Sequence, residues 1–327
     1  MSKLQVIIDC DPGVDDAAAI LLALASPEIE LLGLSVVAGN VPLDDTLANA
    51  CKIIGISGRR DVAVYAGASG PLVRDQVYGK YARIGTFADD LMPPGDIAPA
   101  RENAVQFLVR STHAAAVSGD PITICAIGPM TDLALALTLH PDTARGINRI
   151  ICMAGAFRAL GHRTPWAEFN VYADPHAADV VLRSGIPIVM MPLDVTFQAL
   201  FTSEHIAAFR RGGRAGEALC KLFTAFDRSD IGRFGRPGGP IHDAMTVAWL
   251  LRPELFSGQP AHVGVETRGE TMGHTYADFT GKLGRKANVT VITGVDEAGF
   301  IELLTERIAR HAGSCARDGH KREAEIR

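Results

Sequence analysis

Short runs of β-branched and aliphatic residues alternate along this chain with longer stretches of helix-forming residues. Residues 4–8, Leu4-Gln5-Val6-Ile7-Ile8, form a compact apolar run closed by Asp9-Cys10-Asp11-Pro12-Gly13, the pattern of a buried strand ending in a turn. Asp15 and Asp16 then precede the helix formers of residues 17–25, placing acids in the first helical turn. The same alternation predicts strands at 31–37, 62–65, 122–127, 150–153 and 186–191, with helices at 43–56 and 175–182 among them. Strand-like runs between 262 and 292, such as 289–292, lead into a last helix at 297–310. Strands alternating with helices predict an α/β fold with a Rossmann-like, mostly parallel central sheet and helices on both faces.

No linker, repeat or composition break divides the 327 residues, so they read as a single domain over 1–315 with a frayed polar tail at 316–327. Two loops, 67–100 and 227–239, are rich in Gly, Pro and charge and long enough to act as lids. A hydrophobic content of 47% with 21% charged residues excludes a disordered chain. The net charge of -5, without Lys/Arg clusters beside aromatics, argues against a nucleic-acid groove and for a small-molecule partner. No apolar run approaches the roughly 18 residues of a membrane span, and the first strand begins without a secretory leader's apolar stretch. Six cysteines without a CxxC pair read as reduced core residues, which suits the cytoplasm.

The chemistry concentrates in four acids within eight residues: Asp9, Asp11, Asp15 and Asp16. Residues two apart on a strand share a face, so Asp9 and Asp11 are expected to project together at the strand end that opens on the ligand crevice of a parallel sheet. Carboxylates so crowded must be protonated or compensated, and a helix N-terminus supplies only about half a charge. A hard divalent cation, calcium or magnesium, compensates them better, and no HExxH or paired His/Cys spacing points to zinc. Asp15 and Asp16 also suit the start of a helix without any metal, but the Pro12-Gly13 turn is what brings strand-end and helix-start acids together.

The run Asp9-Cys10-Asp11-Pro12-Gly13-Val14-Asp15-Asp16-Ala17 resembles the N-terminal signature DxDPGxDDA of the inosine-uridine preferring nucleoside hydrolases, which are calcium-dependent N-ribohydrolases. The resemblance continues, in the family's order, through Val37-Ala38-Gly39-Asn40, Val64-Tyr65-Ala66-Gly67, Ile127-Gly128-Pro129-Met130-Thr131-Asp132, Ala167-Glu168-Phe169-Asn170-Val171-Tyr172-Ala173-Asp174-Pro175 and Ile241-His242-Asp243-Ala244. It implies one nucleoside hydrolase domain that binds Ca2+ through Asp11, Asp16, Asp243 and the main-chain carbonyl of Ile127. It also implies Asp11 as general base and His242 as general acid for the departing base. Asp15, Asn40 and Asn170 would meet the ribose, Glu168 its 5′ hydroxyl, and Met153 would place a polarizable sulfur near the developing cation. The partner it implies is a ribonucleoside, and the assembly a homodimer or homotetramer.

Two positions depart from the family pattern. Tyr81 stands where many pyrimidine-active members have the His of an HGxxG element, and His162 replaces an Asn expected near the 5′ hydroxyl. His162 leaves open a substrate altered at the 5′ position. Two rivals remain at this level. A haloacid-dehalogenase-like phosphohydrolase also begins with a strand ending in Asp-x-Asp, but Pro12 and Gly13 break its motif and no later GDxxxD pair occurs. A non-catalytic nucleoside or sugar sensor would be expected to lose the base or acid, and Asp11, Asp16, Asp243 and His242 are all present.

Overall fold

The structure, a computed structural model, describes residues 3–80 and 82–311. The tail expected at 316–327, the end of the expected domain and Cys315 lie outside the described residues. Eleven strands are present among them: β1 Leu4–Cys10, β2 Ile29–Val36, β3 Val64–Ala66, β4 Ile122–Ala126, β5 Ile147–Met153, β6 Ile188–Met191, β7 Leu200–Phe201, β8 Gly239–Pro240, β9 Phe256–Val265, β10 Thr275–Asp278 and β11 Val289–Val295. Nine join one sheet in the order β10-β9-β11-β6-β5-β4-β1-β2-β3, while β7 and β8 pair by themselves.

From β3 across to β11 every pairing is parallel. The mostly parallel sheet predicted from the alternation is therefore present. Its far edge is antiparallel, β9 against β11 and β10 against β9, because these strands follow one another through turns with no crossover helix between β9 and β10. The first half of β9 was illegible as a strand, since Ser257, Gly258, Gln259 and Pro260 are all exposed.

Period-two burial explains how the sheet serves two cores. In β1, Val6, Ile8 and Cys10 pack into one apolar cluster and Ile7 into the other. The first cluster is covered by α1 Val14–Leu24, α2 Leu43–Ser57 and later helices such as Gly213–Ala225 and Glu297–Ala309. The second is covered by α3 Ala104–Ser118, α4 Thr131–Leu139 and the helix Pro175–Leu182. Every residue of α1 is buried, which its uniformly apolar Ala-Ile-Leu run after Asp16 allows. The five described cysteines are buried and form no disulfide. No helix among the described residues is long and apolar enough to cross a membrane.

Strand β1 lies between β2 and β4, so the chain leaves its carboxyl end toward one side and the loop after β4 leaves toward the other. Such a reversal of strand order opens a crevice at the sheet's carboxyl edge. The segments that follow β1, β2, β4 and β5 all meet there, and they carry Asp11, Asn40, Ile127 and the 154–168 loop.

Candidate active site

Asp11 is the first residue beyond β1, and its carboxylate is tied down from the next strand's loop. Its Oδ2 accepts the backbone N–H of Asn40 at 2.6 Å, and the Asn40 side-chain amide donates to the Asp11 carbonyl at 3.0 Å. Two motif glycines make room for it: a Cβ on Gly39 would lie 2.1 Å from Asp11 Oδ2, and one on Gly128 would lie 2.9 Å from Asp11 Oδ1. That Oδ1 is buried without a hydrogen-bond partner. Asp9 departs from the expectation that it would project beside Asp11. It is fully buried next to Asp132 and Ser35, because Asp11 has already left the strand and the two-residue period ends with it.

Asp16 accepts the backbone N–H groups of Gly13 at 2.9 Å and Asp11 at 3.3 Å, so one side chain closes the turn and faces the floor of the crevice. Asp243 occupies the N-cap position of the helix Ala244–Leu251, yet its side chain caps nothing. One carboxylate oxygen from each of Asp15, Asp16 and Asp243 falls within 4.8 Å of the others. Burial, then neighbouring like charge, pushes Asp11 and Asp243 well above the usual carboxylate range and Asp16 up to about 7. Asp15 goes the other way. Burial raises it too, but the guanidinium of Arg228, 2.7 Å from Asp15 Oδ2, together with His242 offsets this and holds it low.

Clustered buried oxygens, an Asp11 oxygen with no partner and a floor that cannot stay ionised unaided together fit a hard divalent cation. The converging triad contains Asp15, with Asp11 adjoining through Asp16, whereas the sequence grouped Asp11 with Asp16 and Asp243. The Ile127 carbonyl accepts Asn170 Nδ2 at 2.8 Å, which leaves it a second lone pair.

A cavity of about 500 Å³ stands over this floor, lined by Asp15, Asn40, Ile127, Met153, His162, Glu168, Asn170, His242 and Asp243 among others. Asp11 and Asp16 lie just beneath that lining. Asn170 Nδ2 also donates to the Met153 carbonyl at 3.1 Å, so one amide joins the ends of β4 and β5. Glu168 caps the short helix Phe169–Ala173: Oε1 accepts from Asn170 N at 2.7 Å, and Oε2 from Val171 N at 3.1 Å and Gly155 N at 3.2 Å. Burial nevertheless raises its pKa to about 7. Met153 is buried and packs with Ala156 and Leu193, so its core role and its place on the cavity wall coexist.

On the opposite wall His242 Nδ1 lies 2.7 Å from Thr196 Oγ1. Its ring stacks 5.9 Å from His162 and meets Phe197 edge-on at 5.6 Å. Desolvation lowers the His242 pKa to about 3, helped by Arg228 and opposed by Asp15. His162 is shifted down as well, by the protein around it and then by Arg233 and Arg228, although its ring remains exposed to the open cavity.

The expected lid at 227–239 does border the cavity, through Asp227, Arg228, Ser229, Asp230, Arg233 and Phe234. Of the expected 67–100 lid, Gly79 and Lys80 reach the cavity, while Phe87 and Met92 are buried in the core. Tyr81 lies outside the described residues. Sequence reasoning missed Thr196, Phe197, Arg228 and Arg233; the two arginines stood inside a flagged loop, and the other two follow β6 without a motif of their own.

An oxygen-rich floor at a sheet switch point, walled by His, Asn and aromatic side chains, defines a hydrolase-type crevice for a small polar substrate. The profile of the inosine-uridine preferring nucleoside hydrolases matches residues 6–302, and the chain belongs to that family. It is a nucleoside N-ribohydrolase. It is 42% identical over 315 residues to the pyrimidine-specific ribonucleoside hydrolase RihA of Citrobacter koseri, covering 94% of this chain and 99% of that one. An uncharacterized protein of Schizosaccharomyces pombe is 43% identical over 312 residues, covering 94% and 99% of the two chains. Among solved structures, the purine-preferring ribonucleoside hydrolase from Gardnerella vaginalis superposes with a TM-score of 0.82 at 31% identity, over 94% of this chain and 99% of that one.

Proposed function

We propose that this chain hydrolyses the N-glycosidic bond of ribonucleosides to ribose and free base, with Ca2+ held by Asp11, Asp16, Asp243 and the Ile127 carbonyl. Bound calcium would compensate the floor carboxylates and polarise the attacking water. Water adds at the anomeric carbon while the bond from that carbon to the base nitrogen breaks, its electron pair leaving with the base. Asp11 takes the water's proton, its carboxylate fixed through Oδ2 by the Asn40 backbone N–H. Asp15, Asn40 and Asn170 hold ribose hydroxyls, Glu168 meets the 5′ hydroxyl, and the Met153 sulfur lies against the sugar as positive charge develops.

His242 serves the leaving base as general acid, its Nδ1 held 2.7 Å from the Thr196 hydroxyl. The observation that carries the reading is Asp11 Oδ1, buried and without a partner beside converging acids beneath a walled cavity.

The named relatives divide between pyrimidine and purine substrates, so base preference is assigned to the loops rather than the floor. A 5′-altered riboside is the second reading, favoured by His162 standing exposed on the cavity wall beside Arg233. The proposed setting is a cytoplasmic homodimer or homotetramer with a small-molecule partner, supported by the family likeness and the unpaired cysteines.

The test is ribose release from inosine, adenosine, guanosine, uridine, cytidine and 5′-modified nucleosides, with calcium and after chelation. Release that chelation abolishes and calcium restores is expected. Undiminished release after chelation would refute the metal site, and no release from a folded, calcium-supplied protein would refute the activity.

A further inference from the structure

Arg228 belongs neither to the proposed metal ligands nor to the sugar-binding residues, yet it extends from the second lid loop to the pocket floor. Its Nη1 lies 2.7 Å from Asp15 Oδ2, with side chains only 21% and 7% exposed. A largely buried ion pair persists only where geometry offsets desolvation, and the lid supplies that geometry. Gly239, paired with Phe201 in the β7–β8 ribbon, folds back onto the Arg228 main chain: a Cβ there would stand 2.8 Å from Arg228 Cβ and 2.9 Å from its carbonyl carbon. The other arginines of this lid point elsewhere. Arg233 donates to the carbonyls of Leu160 and Gly161 at 3.2 Å and lies 4.5 Å over the Phe197 ring, and Arg236 reaches Glu297 and the Gln198 carbonyl.

We infer that Arg228 is a specificity-determining residue that reads the sugar jointly with Asp15, so that seating the lid and recognising ribose are one event. This deepens the proposed function and rests on its reading of Asp15 as a ribose contact. Three floor acids are assigned to the dication; Asp15 is the fourth, and its counter-ion is carried by the lid. Arg228 and Asp15 both line the cavity, where a guanidinium only donates and a carboxylate only accepts. Arg228 and Asp15 together therefore match a hydroxyl that must both donate and accept. A sugar lacking that hydroxyl forfeits the contacts to both side chains, which is how a site built for a hydroxyl disfavours its deoxy analogue.

The experiment measures kcat and KM for uridine and inosine against 2′-deoxyuridine and 2′-deoxyinosine, with calcium, in wild type, Arg228→Gln, Arg228→Lys and Gly239→Ala. Competition by D-ribose and 2-deoxy-D-ribose, read as direct binding by calorimetry, accompanies it. Arg228→Gln is expected to lower the ribo-to-deoxy ratio of kcat/KM by about tenfold or more, mainly through KM of the riboside. Arg228→Lys should recover part of that ratio, and Gly239→Ala, which displaces Arg228 without removing it, should lower it. Equal losses on riboside and deoxyriboside, with an unchanged preference for D-ribose in binding, would overturn the inference. A wild-type protein inactive on every riboside would instead refute the proposed function, so the two failures are distinguishable.

Discussion

The floor and the rim of the pocket are built by opposite means. On the floor, Asp11 and Asp16 are held by backbone N–H groups and by glycines that leave no spare room, all within the carboxyl edge of the parallel sheet. On the rim, Arg233 and Arg236 hold the exposed 227–239 loop through carbonyls, one ring and one carboxylate. A backbone-anchored carboxylate keeps its position to a fraction of an ångström, which proton transfer requires; side-chain staples on a loop allow it to seat against different ligands. In the proposed function, chemistry is accordingly assigned to the floor and base selection to the rim.

Variants can break that division, and the largest effect is expected at Asp11. Asp11→Ala should cut kcat by on the order of 10² to 10⁴-fold with the circular dichroism spectrum retained, and an active variant would remove the floor from the mechanism. His242→Ala should slow uridine and inosine by about 10²-fold but p-nitrophenyl riboside far less, since that leaving group needs little help from a donor. Equal losses on both would show that His242 does not assist departure. Gly39→Ala tests the anchoring itself: its Cβ must displace the Asp11 carboxylate. It should cost about tenfold in kcat and roughly 1–3 kcal/mol of stability by denaturant titration.

Glu168 ties floor to helix cap and sets a pH dependence. Its folded pKa of about 7 exceeds the ordinary 4.5, so its contribution to stability is full below about 4.5 and is lost as pH rises through about 7. Glu168→Gln, measured by melting temperature on calcium-loaded protein, should flatten the stability slope across that window by a few kcal/mol at most, on the order of the linkage for such a shift. Arg233→Ala, at the rim, is expected to be mildest. It should raise KM about fivefold, the scale of roughly 1 kcal/mol of hydrogen bonding, with kcat nearly unchanged. A large kcat loss there would erase the distinction between floor and rim.

Most of the floor was legible before folding because it is local. Asp11, Asp15 and Asp16 share one strand-turn-helix passage, and Pro12 and Gly13 mark the turn between them. The expected same-face pairing of Asp9 with Asp11 failed because the strand period stops at Cys10, where β1 ends. The antiparallel edge escaped notice because exposed Ser257, Gly258, Gln259 and Pro260 carry no apolar signal. Thr196, which orients His242, has no motif, and its role depends on a contact 46 residues away in sequence.

By itself the amino-acid order determined the alternation of strands and helices, the parallel sheet and the family's acids, since each follows from local periodicity, turn residues or a contiguous motif. Tertiary structure alone decided that Gly39 and Gly128 clasp one carboxylate, that Asp15 converges with Asp16 and Asp243, and that Arg228 crosses from the lid to neutralise Asp15. Those relations join segments tens to hundreds of residues apart, and their energies depend on distance and burial, which a linear chain does not possess until it folds.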